Sequence, residues 1–479
     1  MGAPAQKRSI DLSVLDPPLL AAVKEISALV RGAGGRAYMV GGSVRDLLLG
    51  SRQVKDVDIE AFGVAPERLQ SLVGSRYEFD QCGVAFGVLK IKHLDIDVSL
   101  PRRESKSGEG HRAFLVDSVP DLSIAEAAMR RDFTVNAMYY DPLDGAFEDP
   151  YGGAADLERR VLRHVSEKFR EDPLRVLRGM QFVARFGLEP APETVAMCRS
   201  VGIEGLAQER LFEEWAKLLV KGREIGHGLD FLRATGWTRY FPELEALIGC
   251  RQDPAWHPEG DVWEHTKLCL DAFARRRTGD RREDLIVGLA VVCHDFGKPA
   301  TTATDPVSGH VRSLGHDEAG AGPCLSFLRR LTNDEGLIKD VPPLVRCHMQ
   351  PFALWRSNAG DSAIRRLAVR VGRIDRLVRV ARADEEGRPD VVVPGDGGGK
   401  ALEWLEAAAE RLRVVDEMPR PILLGRHLIA LGLKPSPKFG QWLSECFEAQ
   451  LDGAFSDLDG AIAHFRKTCL PDLPSSAAT

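Results

Sequence analysis

Gly41 and Gly42 stand between a β-like run, Arg36 to Val40, and a helical run that opens with Arg45 and Asp46. Glycine accepts the turn conformations that let main chain approach a phosphate, and a helix N-terminus adds partial positive charge. Gly41, Gly42 and Arg45 are therefore expected to bind phosphates. Shortly afterwards Asp56 and Asp58 flank Val57 in DVDI. Carboxylates at i and i+2 of a strand face the same way. Aimed together beside a phosphate cradle they repel, unless a divalent cation shared with a nucleoside triphosphate joins them, which implies Mg²⁺. The run LDIDVSL offers Asp95 and Asp97, and a neighbouring strand would bring one of them to the pair; Asp97 is the expected third carboxylate.

Two further groups have types suited to a nucleotide. In AEAAMRRDFTVNAMYY, Arg131, Asp132 and Asn136 supply a cation, an acceptor and an amide for phosphate oxygens and ribose hydroxyls. In FREDPLRVLRGMQFVARF, Asp172 and Arg175 are three residues apart, on one face if the segment is helical. Cytosine and adenine both present an amino donor beside an unprotonated ring nitrogen. Asp172 can accept from the first while Arg175 donates to the second; guanine and uracil show the reverse order and would leave buried groups unpaired. Arg178, Arg185 and Lys168 add positive charge nearby.

Taken in order, GGSVRDLLLG, DVDI, RRDFTVNAM and EDPLR resemble the motifs of the class II tRNA nucleotidyltransferase and bacterial poly(A) polymerase family. The resemblance implies a fold of head, neck, body and tail, in which the carboxylates hold catalytic metal and Asp172 with Arg175 act as a protein template for C and A. It implies addition of C, C and A to tRNA 3′ ends from CTP and ATP. The stretch PRRESKSGEGHRAFLV has the composition of a mobile loop, which in the enzymes it resembles helps the site switch from C to A. A poly(A) polymerase, or an enzyme adding only C or only A, would share these motifs.

Six of the twelve histidines fall between positions 257 and 348, a concentration that marks a second constellation. His265, His294 with Asp295, His316, His348 and Asp384 are spread over helical runs, and such imidazoles and carboxylates suit one or two metal ions. The ordered set resembles HD-superfamily phosphohydrolases, implying a metal-dependent phosphatase or 2′,3′-cyclic phosphodiesterase that uses a transition metal or Mg²⁺, with Lys298 neutralising a phosphate oxygen. A rival of another class makes the chain chiefly such a phosphohydrolase, with a nucleotide-sensing head. A noncatalytic RNA-binding protein fits poorly with two sets of metal-ligand residues.

The elements that must position these groups follow from the periodicity. Short strand-like runs (Val57 to Phe62, Tyr77 to Cys82, Val84 to Ile91, Leu94 to Leu100) make a small mixed sheet, and Leu19 to Val30 is a helix entered through DPP. The expected class is α+β: a nucleotidyltransferase head over 1–150, then an all-α neck (151–235), HD body (236–390) and tail (391–479). GRPDVVVPGDGGGK has linker composition, Ala401 to Val415 is helical, and the tail offers Arg426, Lys434 and Lys438 to a tRNA backbone; PDLPSSAAT has the composition of a disordered end. At 479 residues the chain exceeds one core, and its formal charge of -6 supplies no global field for nucleic acid. Nine cysteines without a CxxC pair fit reduced, buried packing residues better than zinc ligands. With no apolar leader and no run of membrane-spanning length, a cytoplasmic protein with no membrane partner is expected.

Overall fold

A computed structural model describes residues 6–7, 10–82, 87–106, 114–388 and 399–470. The chain divides into two compact units, Met1–Tyr240 and Phe241–Thr479.

The first unit opens with the helix Pro17–Gly32. Prolines occupy its first turn, where their missing N–H costs nothing, and Leu19, Val23, Ile26 and Val30 bury its apolar stripe. That stripe lies against a mixed eight-stranded sheet, ordered Gln6–Lys7, Ala146–Glu148, Tyr139–Tyr140, Arg36–Val40, Val57–Phe62, Ile96–Ser99, Val88–Ile91, Phe79–Cys82. Within this sheet only Val57–Phe62 and Ile96–Ser99 pair in parallel. The register sets Asp58 opposite Val40 on one side and Asp97 on the other. Tyr38, Phe62 and Tyr139 meet edge to face above it, sealed by Ala127 and Ala128 of the helix Ile124–Ala128. A capping box of Ser123 and Glu126 starts that helix.

The segment Ala125 to Tyr140 passes from the helix Ile124–Ala128 through a 3-10 turn, Thr134–Asn136, into a strand. Two expectations need correction here. The stretch expected as a loop, 101–116, takes in most of an antiparallel ladder, Arg102–Lys106 with Phe114–Ser118; 107–113 lie outside the described residues. The helical half also carries two short ladders, Val161–Leu162 with Glu189–Pro190 and Thr302–Thr304 with Val311–Ser313. Strand-like Val84 to Phe86, the linker core 389–398 and the end 471–479 likewise lie outside the described residues.

The second unit packs the helices Val262–Arg275, Arg281–Cys293, Glu335–Cys347 and Ile374–Glu386 about one core. Arg281–Cys293 is apolar nearly all round, as suits a central helix. Farther along, Leu423, Leu428, Cys446 and Phe465 form a small core of their own.

Candidate active site and a second polar cluster

In the first unit a cleft of about 480 Å³ is lined by Gly41, Gly42, Arg45, Asp56, Asp58, Arg131, Asp132, Asn136, Asp172, Arg175 and Arg178. Gly41 has φ 73°, which disfavours any side chain, and a Cβ there would meet Arg131 Nη1 at 3.2 Å and Asp58 Oδ2 at 3.4 Å. The turn therefore sits directly against the carboxylate, and the helix that follows it begins at Gly42 rather than Arg45.

Asp58 and Glu60 alternate along the strand Val57–Phe62, with Asp56 just ahead of it, yet their environments differ. Asp58 opens to the cleft. Crowding by protein raises its pKa most, Arg131 opposes that, and the charges of Asp97, Asp56 and Glu60 raise it further. Such mutual repulsion fits a hard divalent cation held by oxygens. Asp97, the aligned neighbour of Asp58, is part of this field but not of the cleft wall. Glu60 is fully buried and clamps Arg130 at 2.7 Å and Arg131 at 3.2 Å. Burial would raise its pKa, but the two guanidiniums win and lower it. Glu60 escaped the sequence reading, although the i, i+2, i+4 alternation of DVDIE pointed to it.

A relay of hydrogen bonds ties the motifs together. Arg45 donates to Asp46 (2.7 Å) and through Nη1 to Asn136 Oδ1 (2.5 Å). The Asn136 amide donates to Asp132 Oδ1 at 2.9 Å, and Arg178 Nε donates to Asp132 Oδ2 at 2.6 Å. Burial alone would raise the Asp132 pKa; Arg178, Asn136 and the Phe133 N–H hold it down to about 2. Arg45 is thus a wall residue, its guanidinium lying 4.4 Å from the Phe186 ring centroid.

Asp172 and Arg175 line the cleft together, but Asp172 is not on the helix face expected for it. It is an extended residue (φ -130°, ψ 105°) ahead of the helix Leu174–Phe186, and its Oδ1 accepts from the Leu174 N–H at 3.1 Å. Pro173 follows it, and a residue before proline avoids helical backbone. Arg175 is braced by the carbonyls of Lys168 (2.7 Å) and Arg130 (2.5 Å). Arg210 reaches from the helix Gln208–Lys221 to grip Asp172 at 2.8 Å. That helix brings Arg210, Lys217 and Lys221 to the cleft.

A carboxylate pair at the start of a strand, under a glycine turn, set in a mixed sheet and faced by helical arginines, defines a nucleotidyltransferase head. Residues 37–163 match the Poly A polymerase head domain model. The chain is 34% identical over 395 residues to a multifunctional CCA protein of Xanthomonas campestris pv. campestris, covering 80% of this chain and 92% of that one. A Stenotrophomonas maltophilia protein of the same name is 34% identical over 394 residues, covering 80% and 93%. The fold is shared with the Bacillus stearothermophilus CCA-adding enzyme in complex with CTP (TM-score 0.63, 24% identity, covering 94% and 98%) and the Thermotoga maritima CCA-adding enzyme complexed with tRNA (0.58, 18%, covering 96% and 97%). The chain therefore belongs to the CCA-adding tRNA nucleotidyltransferase and poly(A) polymerase family.

The second unit gathers every residue of the histidine–aspartate set. His265 rides the helix Val262–Arg275, His294 ends Arg281–Cys293, His316 starts His316–Ala319, His348 ends Glu335–Cys347, and Asp384 lies on Ile374–Glu386. Each imidazole has its Nδ1 engaged: His294 with Val291 O, His316 with Ser313 O and His348 with Val345 O at 2.7–2.8 Å, and His265 with Glu259 at 2.8 Å. A carbonyl or carboxylate only accepts, so Nδ1 carries a proton, and in the neutral imidazole Nε2 keeps a lone pair. These lone pairs converge. His316 Nε2 and His348 Nε2 are 3.2 Å apart, and Asp295 reaches within 3.2 Å of His294 Nε2 and 3.5 Å of His316 Nε2. His294 Nε2 and both Asp295 oxygens are buried with ion-pair contacts but no well-directed hydrogen bond. This donor set fits a cation, with Asp295 between the His265–His294–Asp384 group and the His316–His348 group.

Lys298, expected to neutralise a phosphate oxygen, lines the cavity beside this cluster, lies 2.7 Å from Asp295 Oδ2 and donates to Gln252 at 2.7 Å, because burial demands a partner for its charge. The cluster floors a cavity of about 540 Å³ walled also by Trp256, Arg312, Arg356 and Arg388. Sequence reading missed Glu259, whose carboxylate also accepts from His257 at 2.8 Å and is held to about 2 despite burial by those two histidines. It missed Cys269 as well, one helical turn after His265.

Proposed function

We propose that this protein adds C, C and A to the 3′ end of tRNA from CTP and ATP. The observation that carries the reading is one cleft holding the Asp56–Asp58 pair, the Gly41–Gly42 turn and the Asp172–Arg175 pair. The RNA 3′-hydroxyl attacks the α-phosphorus of the bound nucleotide, its proton leaves to solvent, and pyrophosphate departs. Mg²⁺ held by Asp56 and Asp58, with Asp97 adding charge behind them, would lower the hydroxyl's pKa and steady the departing phosphates. Main-chain amides at Gly41 and Gly42 hold phosphate, while Arg45 orders Asn136 and Asp132 for the ribose. Asp172 and Arg175 accept the edges of C and A once Asp172 is released from Arg210. Arg426, Lys434 and Lys438, all exposed, are suited to the tRNA backbone.

The test is incorporation on tRNA transcripts lacking all or part of CCA, with each nucleoside triphosphate singly and with CTP plus ATP under Mg²⁺. Addition that stops after CCA supports the reading. Long A tracts would make the protein a poly(A) polymerase, and C-only or A-only addition half of a split pathway.

A second activity is favoured by the converging Nε2 atoms of the histidine–aspartate cluster: metal-dependent hydrolysis of a phosphate ester, including 2′,3′-cyclic phosphates. A transition metal bound there would activate water, and the cavity's arginines would receive the ester's charge. Hydrolysis of a cyclic phosphate lost on His294→Ala, with CCA addition kept, would support it; no hydrolysis with any divalent metal would remove it. No helix among the described residues is long and apolar enough to cross a membrane.

A further inference from the structure

Cys269 lies four residues after His265 on the helix Val262–Arg275, so the two side chains share a face. The thiol is fully buried, and its sulfur is 3.3 Å from His265 Nε2. His265 Nε2 is in turn 3.0 Å from Asp384 Oδ1, and one ligand atom from each of His265, Cys269, His294 and Asp384 lies within 4.8 Å of the others. Adjacent ligands of a tetrahedral ion with bonds of about 2.0–2.3 Å stand roughly 3.3–3.6 Å apart, so the four are near coordination spacing already. The sulfur also interacts with His294, and its contact to the Asp384 carbonyl oxygen is long, 3.8 Å.

One feature points to a ligand there, and a second fixes where the sulfur sits. His294 Nε2 is buried with an ion-pair contact but no well-directed hydrogen bond. Gly387 leaves the space the sulfur occupies: a Cβ on it would come to 2.3 Å from Cys269 Sγ. Resting on the reading of this cluster as a metal centre, we propose that Cys269 is a direct thiolate ligand, making a mixed sulfur, nitrogen and oxygen site that prefers zinc-like transition metals over Mg²⁺ or Mn²⁺. As the sulfur–metal bond forms, the thiol proton passes to solvent. Sulfur is the soft member of the set, and hard cations gain little from it.

The full-length protein, stripped of metal and titrated with Co²⁺, decides the matter. The expected result is tight cobalt binding with an intense near-ultraviolet sulfur-to-cobalt charge-transfer band, absent from Cys269→Ser and Cys269→Ala and retained in Cys324→Ala. Chelator competition should show zinc affinity weakened about tenfold or more in Cys269→Ser, with Mn²⁺ affinity little changed. Cobalt bound with only weak visible bands would overturn the thiolate ligand and leave the metal centre standing. No cobalt binding at all would overturn both. The wild-type spectrum is decisive even if neither Cys269 variant folds.

Discussion

Arg45 Nη1 donates to Asn136 Oδ1 at 2.5 Å across 91 residues of chain. This bond joins the phosphate turn to the ribose motif, so neither is free to move alone. Asn136→Ala would leave a buried guanidinium N–H without its acceptor, costing about 1–3 kcal/mol. Urea unfolding should show that loss together with a raised KM for CTP and ATP alike; a change for one nucleotide only would contradict a shared ribose and phosphate platform.

On the proposed reading, the two units carry separable chemistry. Asp58→Ala should lower nucleotide addition about a thousandfold or more while hydrolysis of a cyclic phosphate continues. Unimpaired addition would remove Asp58 from the metal site.

Asp172 is held by Arg210, an ion pair at 2.8 Å with both partners partly exposed. Arg210→Ala should leave stability within about 1 kcal/mol and alter selection of C and A over U and G, because Asp172 loses its restraint. Asp172→Ala should erode that selection about tenfold to a hundredfold. Misincorporation assays with each triphosphate separate these cases, and unchanged selectivity in Asp172→Ala would refute the base-reading role.

Asp132 is held at about 2 against 3.8 for an ordinary aspartate. A depressed folded-state value contributes stability that is present above about pH 4 and lost as pH falls toward about 2, on the order of 2 kcal/mol. Acid titration of wild type against Asp132→Asn should show the wild type losing more stability across that window. Parallel curves would mean that Arg178 does not stabilise the carboxylate.

Binding of a divalent metal at the histidine–aspartate cluster stabilises the fold by mass action. Zinc at about one hundred times its Kd should add about 2.7 kcal/mol, seen as a higher Tm that EDTA reverses. A Tm indifferent to zinc and EDTA would argue against a metal there.

Local spacing was enough to determine much of this. Alternation in DVDI made a strand that begins at Val57 and carries Asp58, the apolar run before His294 made a central helix, and the ordered histidines and aspartates announced residues that gather in one cluster, since side-chain direction along a helix or strand is a property of adjacent residues. Tertiary structure decided which distant groups complete these sets. The parallel register brings Asp97 beside Asp58, Arg210 finds Asp172 across 38 residues, and Asp384 meets His265 across 119. Glu60 belongs to the same class, its partners Arg130 and Arg131 being supplied by a segment packed against its strand, and Cys269 belongs to it in part: His265 is on its own helix, but Asp384 comes from another. The physical reason is burial. Desolvation obliges a charge or lone pair to find a partner, and which partner is within reach depends on how helices and strands pack.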